Sequence, residues 1–187
     1  ATNGSVMMEG AKMSKSFGNI IPLREAIVKF GADPVRLSVL STAELLQDAD
    51  FSPTIAKSMQ DRLERIYRLA SKMVERHLEE KPQAPLMKID RWMMSRLNQH
   101  IRTVTEALDK LAVRKAIHTV LYELDQDFQW YQRRIASRKE DPKRKATMAQ
   151  VSKDVLDAQI KMLAPIAPHV CEEIWEMLGG EGFIALS

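Results

Sequence analysis

Apolar residues recur at spacings of three and four along most of this chain, and that period admits helices and little else. The longest stripe is Val113, Ile117, Val120, Leu124, Phe128, Tyr131 and Ile135, about six turns at 3.6 residues per turn. An earlier one, Ile55, Met59, Leu63, Ile66, Ala70 and Met73, begins at Ser52-Pro53 or Thr54 and reaches about Leu78. Lys81-Pro82-Gln83-Ala84-Pro85 then breaks the helix, because proline removes a donor and pushes its predecessor out of the helical region. Asp90 is placed to cap a third stripe with Trp92, Leu97, Ile101, Val104 and Leu108, ended by a turn near Asp109-Lys110. The last stripe, Val151, Val155, Ala158 and Met162, is interrupted at Pro165, resumes from Pro168 with Val170, Ile174, Met177 and Leu178, and stops at Gly179-Gly180. Residues 54–178 therefore read as four long antiparallel helices with a broken fourth, and the fold class as mainly α, an antiparallel helix bundle.

Two shorter helices precede the bundle. Pro22 opens the first, with Leu23, Ala26, Ile27 and Phe30 on one face and Gly31 in the left-handed cap position. Asp33-Pro34 supplies a cap and a first-turn proline for the second, in which Val35, Leu37, Leu40 and Leu45 carry the helix to roughly Leu46. The domain reading is a loop with two short helices over residues 1–50 and the bundle over residues 51–187.

The 187 residues are 45% hydrophobic, enough for one core and a small appendage. A net charge of +3 writes no general affinity for polyanions into the composition, so nucleic-acid contacts must come from local patches. The one cysteine, Cys171, lies in a helical stripe and reads as a buried thiol, which excludes a disulfide framework and points to a reducing, cytoplasmic setting. The sequence holds no run of about 18 apolar residues and no basic-then-apolar leader. His77, His100, His118 and His169 share no metal-ligand spacing with one another or with Cys171, so no metal site is expected. His169 reads as a hydrogen-bonded helix-start residue, and Trp92, Trp130 and Trp175 as core packing. The opening Ala1-Thr2-Asn3-Gly4-Ser5 lacks methionine, and the chain is expected to be cut from something longer.

Near the start stands Lys12-Met13-Ser14-Lys15-Ser16, followed by Phe17-Gly18-Asn19. Two ammonium groups and two hydroxyls on one short loop, with Gly10 and Gly18 at its flanks, suit a polyphosphate. Two basic tracts lie in the bundle. One is Arg62, Arg65, Arg68, Lys72 and Arg76, interleaved with Asp61, Glu64, Glu75 and Glu79. The other is Arg133, Arg134, Arg138, Lys139, Lys143, Arg144 and Lys145. Each reads either as a solvated face or as an RNA-facing surface, and cations at a helix C-terminus also suit its dipole.

Residues 12–19 resemble the second signature of class I aminoacyl-tRNA synthetases. Leu163-Ala164-Pro165-Ile166-Ala167-Pro168-His169, with Glu172-Glu173-Ile174-Trp175, resembles the last helices of their anticodon-binding bundle. Gly31-Ala32-Asp33-Pro34-Val35-Arg36 looks like the segment that joins the catalytic domain to that bundle. These three motifs stand in the family's order and span nearly all of the chain. Asp127-Phe128-Gln129-Trp130-Tyr131 and the opening Asn3-Gly4 resemble the leucyl branch of archaeal or eukaryotic-cytosolic type. Valyl, isoleucyl and methionyl enzymes are the alternatives inside the family, and a helical RNA-binding module or a structural bundle are those outside it. Phe17 departs from the polar residue common there.

The resemblance implies an ATP-dependent ligase that forms leucyl-adenylate and passes the acyl group to tRNA, with ATP and magnesium as substrate and leucine tRNA as partner. Carried over residue by residue, Lys15 makes the principal contact to the leaving pyrophosphate and Lys12 supports it. Ser14 and Ser16 donate hydrogen bonds, and Met13 packs the loop. Arg62, Arg65, Lys72, Arg133, Arg134, Arg138, Lys139 and Lys143 are the candidate tRNA contacts. The family's first signature has no match in these residues, so this segment alone is expected to make no adenylate.

Overall fold

The computed structural model describes residues 4–44, 46–75, 84–136 and 142–187. It is mainly α. Strands β1 (Val6–Met8) and β2 (Ala11–Lys12) form a hairpin whose turn residues, Glu9 and Gly10, both have positive φ (50° and 79°), the requirement of the tight turn that matches strand twist. Helices α1 (Leu23–Phe30) and α2 (Ala32–Leu40) follow, and β3 (Ala49–Phe51) returns parallel to β1 to complete a sheet of order β2-β1-β3. The bundle comprises α3 (Pro53–Glu75), α4 (Lys88–Asp109), α5 (Val113–His118), a π-helical turn (Thr119–Glu123), α6 (Leu124–Ile135), α7 (Pro142–Leu163) and α8 (Pro168–Met177).

The stripes do what their spacing requires. Met59, Leu63, Ile66, Ala70 and Met73 of α3 share one core with Met93, Leu97 and Val104 of α4, Phe128 and Tyr131 of α6, and Leu156 and Ile160 of α7. The stripe from Val113 to Ile135 is continuous, but it passes through the π turn, which sends the Leu121 carbonyl to Arg62 (2.9 Å) and the Val120 carbonyl to Gln159 (3.2 Å). A second, smaller core of Ala26, Phe30, Val35, Phe51 and Ala56 lies beside the sheet, with Met8, Met13 and Ile21 packed on it.

Several expectations need correction. The second short helix ends at Leu40, not Leu46, because the Thr42 hydroxyl bonds back to the Val39 carbonyl and receives the Asp50 amide, turning the chain into β3. The sheet itself has no counterpart in the apolar spacing. Gly31 does not sit in the left-handed helical region: φ 92° and ψ 157° place it where only glycine is comfortable, and it ends α1 while opening α2. Leu23 (64% exposed) and Ile27 are not covered by this chain, so α1 buries only Ala26 and Phe30 of its expected face. The fourth bundle helix starts at Pro142, nine residues before the expected Val151 stripe, which places Lys143, Arg144 and Lys145 in its first turn. Asp33 also differs, since it lies inside α2, whereas Asp90 caps α4 as expected, from within its first turn, by accepting the Met87 amide. The expected ends at Leu45 and Leu78 and the break at residues 81–83 lie outside the described residues, as do Arg76, His77, Arg138, Lys139 and the opening Asn3.

Candidate functional site

The lysine and serine loop leaves β2 and is shaped locally. Ser14 caps a single 3-10 turn, Lys15–Phe17, by accepting the Ser16 amide on its hydroxyl (3.2 Å), and Gly18 closes the turn in the left-handed conformation with φ 64°. The Ser14 and Ser16 hydroxyls are 2.6 Å apart and hydrogen-bonded to each other. Lys12 and Lys15 are exposed, so both ammonium groups meet solvent, while Met13 is half-buried against the small core. Asn19 closes the loop on itself. Its side chain accepts the Ser14 amide at 2.8 Å and donates to the Lys12 carbonyl at 3.1 Å. The residues singled out from the sequence are thus together in space. Asn19, quoted there only as part of the motif, is the residue that organises them.

Helix α2 ties this loop region to the bundle. Asp33, 4% exposed, accepts the Val170 amide (2.8 Å) and bonds His169 Nδ1 (2.8 Å), so a side chain of α2 caps α8, whose own cap residue, Ala167, has no side chain able to do so. Arg36 donates through Nε to the Ile166 carbonyl in the α7–α8 turn at 2.9 Å. The segment with the look of a joint and the segment with the look of a bundle end are bonded to one another. His169 is a helix-start hydrogen-bonding residue, as its position suggested.

The basic tracts divide into paired and exposed cations. Arg62 lies over the Tyr122 ring (3.7 Å to its centroid) and donates to the Leu121 carbonyl, so it holds α3 to the π turn. Arg65 pairs with Asp125 at 3.0 Å and Arg68 with Glu64 at 2.9 Å, whereas Lys72 is exposed. In the second tract Arg133 and Arg134 are exposed, Arg134 lying over Trp130 (3.6 Å), and Lys143 and Lys145 are exposed at the start of α7. Arg144 is not a surface cation. It is 3% exposed and donates to the fully buried Asp90 at 2.7 Å. The signal was present in the spacing, since Arg144, Met148, Val151 and Val155 fall on one helical stripe that ends in the core.

Asp90 also accepts the Tyr131 hydroxyl (2.8 Å) and the Met87 amide (2.7 Å). Burial alone would raise its pKa, but the bonds from Arg144, Tyr131 and Met87 outweigh it and hold the carboxyl below the usual range. Burial and the neighbouring Asp90 charge push the Tyr131 hydroxyl far up. Cys171 is fully buried, which raises its thiol and leaves it inert. The motif at residues 127–131 is equally engaged: Asp127 accepts from Arg96 (2.7 Å) and bonds the buried His100 (2.8 Å), Trp130 meets Trp92 (4.3 Å between ring centroids), and Tyr131 reaches Asp90. Among the described residues, no three His, Cys, Asp or Glu side chains are gathered as a metal set, and no helix is long and apolar enough to cross a membrane.

Comparison with known proteins adds to this geometry. The model for the anticodon-binding domain of tRNA ligases matches residues 90–187, and that for class I tRNA synthetases (M) matches residues 1–78. The chain is 40% identical over its whole length to a leucine–tRNA ligase of Pyrococcus horikoshii and 38% identical over 99% of its length to one of Methanothrix thermoacetophila, of which it covers 19% and 18%. It spans about a fifth of the length of the curated relatives it matches. A LeuRS of Agrobacterium radiobacter K84, solved as a ternary complex with tRNA and LeuAMS, shares the fold with a TM-score of 0.73 at 24% identity, over 97% of this chain and 22% of that one. With more than half of its residues under the first of those models, the chain belongs to the family of tRNA-ligase anticodon-binding domains.

Proposed function

We propose that this chain is the part of a leucine–tRNA ligase that carries the mobile ATP loop and the tRNA-gripping bundle. Residues 1–50 close the catalytic half, and residues 51–187 form the bundle. The observation that carries the reading is the continuity of the two sites. A loop presenting two exposed lysines is fixed through α2, by Asp33 and Arg36, to a tRNA-ligase bundle, in a chain matched end to end by leucine–tRNA ligases. The exposed apolar face of α1, with Leu23 and Ile27, is where the rest of the ligase would pack.

In that ligase a carboxylate oxygen of leucine attacks the α-phosphorus of ATP. The bond to the bridging oxygen breaks, and negative charge moves onto the departing pyrophosphate. Ammonium groups that meet this charge as it grows stabilise the transition state more than the ground state. Lys15 supplies the principal contact and Lys12 the supporting one, while the Ser14 and Ser16 hydroxyls exchange their mutual bond for phosphate oxygens. Met13 is the loop's anchor. Magnesium arrives with the ATP phosphates. The 3′-terminal adenosine hydroxyl of tRNA then attacks the acyl carbonyl and AMP leaves. For the tRNA backbone, the exposed cations Arg65, Lys72, Arg133, Arg134 and Lys143 are those the reading selects, while Arg62 is held within the bundle by the Leu121 carbonyl. Arg138 and Lys139 lie outside the described residues and stay with the patch on sequence grounds. A cytoplasmic setting accompanies the reading.

The test is amino-acid-dependent ATP–pyrophosphate exchange by the longer chain that contains these residues. Leucine should support it at least about tenfold better than valine, isoleucine or methionine at equal concentration. A preference for one of those three would assign the chain elsewhere in the class.

A further inference from the structure

Asn19 is the neck of the loop. One carboxamide spans both limbs, accepting from the Ser14 amide (2.8 Å) and donating to the Lys12 carbonyl (3.1 Å). On one side Lys12 is paired in register with Met7 across the hairpin. On the other, Phe17 and Gly18 donate to the Ser14 and Lys15 carbonyls, both at 3.2 Å, and curl the turn. Those turn bonds are local and shape only residues 14–18. The link that fixes the turn to the strand is the Asn19 side chain, with Met13 seated on the small core beneath. Phe17 is 77% exposed, and a side chain at Gly10 or Gly18 would meet no atom within 4 Å, so among the described residues no side chain packs over the loop from outside.

The chemistry of the group matters. Bridging an amide and a carbonyl with one side chain needs an acceptor and a donor on the same short planar unit, which asparagine has and aspartate lacks. We propose that Asn19 is a positioning residue for ATP activation. Its two bonds fix the resting shape of residues 12–16, so that the ammonium groups of Lys12 and Lys15 are presented from a preset ring instead of a wandering strand end. It touches no substrate and acts through the backbone of Ser14 and Lys12. This rests on the ATP reading above.

Two measurements separate the proposal from that reading. Amide hydrogen exchange in the longer ligase needs no ATP. Asn19→Ala should speed exchange at Ser14 by roughly three- to tenfold, the range expected for one lost hydrogen bond, with the bundle amides unchanged. Asn19→Asp, which keeps the acceptor, should leave Ser14 protected. In the longer ligase, Asn19→Ala should lower kcat/KM for ATP by about tenfold or more, with KM for leucine unmoved. Unchanged Ser14 exchange in Asn19→Ala overturns the clamp, and faster exchange with unchanged ATP kinetics overturns its positioning role. A silent Lys15→Ala would instead bring down the ATP reading and the role built on it, leaving the exchange result to stand as geometry.

Discussion

Asp90 receives three donors in a place water does not reach, and the loss of any of them leaves a buried charge short of partners. Replacing it with alanine strands the Arg144 guanidinium and should cost about 3–5 kcal/mol in chemical unfolding. Tyr131→Phe, which removes a single hydrogen bond, should cost about 1–2 kcal/mol. The pH dependence has a definite sign. The folded pKa of Asp90 is depressed, so its contribution is complete above the ordinary value of 3.8 and is lost as pH falls through the lower folded value. Asp157 runs the other way. Burial, its largest influence, and Asp154 raise its pKa against Lys153 and Lys161, so the fold prefers the protonated form and ionisation weakens it as pH rises. Asp157→Asn should therefore raise the melting temperature at neutral pH and leave it nearly unchanged below the ordinary value of 3.8, where the wild-type carboxyl is already protonated in both states. A lower melting temperature at neutral pH would show that ionised Asp157 is a favourable group.

At the level of elements, the ends of helices are held by groups far away in sequence. Asp33→Ala uncaps α8 from α2 and should destabilise by about 1–2 kcal/mol, whereas Asp33→Asn should retain part of the bond. Gly180 follows the glycine that ends α8, and a Cβ there would overlap the Trp175 ring. Gly180→Ala should cost about 1–3 kcal/mol by displacing it, read from the shift in the denaturation midpoint. These cases mark what was legible in the sequence. The stripes announced the helices from Ile55 onward, because burial repeats every turn and leaves a local record. Gly179 and Gly180 marked the end of α8, but the turn after α4 uses Leu111 at φ 56°, with the Ala112 amide bonded to the Ala107 carbonyl, and no glycine advertises it. The sheet left almost no trace, since its strands are two or three residues long and β1 pairs with a segment some forty residues later. The cluster at Lys12 to Ser16 was readable as a group. The basic tract misleads at Arg144, because adjacent like charges suggest a surface and only the helical spacing shows which one turns inward.

For the whole molecule, the proposed function has one short helix, α2, joining a polyphosphate loop to a tRNA grip. If the grip works through phosphates, replacing Arg133, Arg138 and Lys143 together in the longer ligase should weaken tRNA binding uniformly across tRNA sequences. It should also flatten the log–log salt dependence by about 0.9 for each cation that contacted a duplex phosphate. An unchanged slope would move the tRNA to another face. The joint predicts a further asymmetry: Asp33→Ala should impair the acyl-transfer step, which needs the bundle and the loop in register, more than the activation step, in which the bundle takes no part. The most direct test is the activation rate itself. With Lys15→Ala in the longer ligase, leucine-dependent ATP–pyrophosphate exchange should fall by about a hundredfold or more, the scale of losing one donor to developing charge, with KM for leucine little altered. A rate within a few-fold of the unmodified enzyme would contradict the assignment of this loop to ATP.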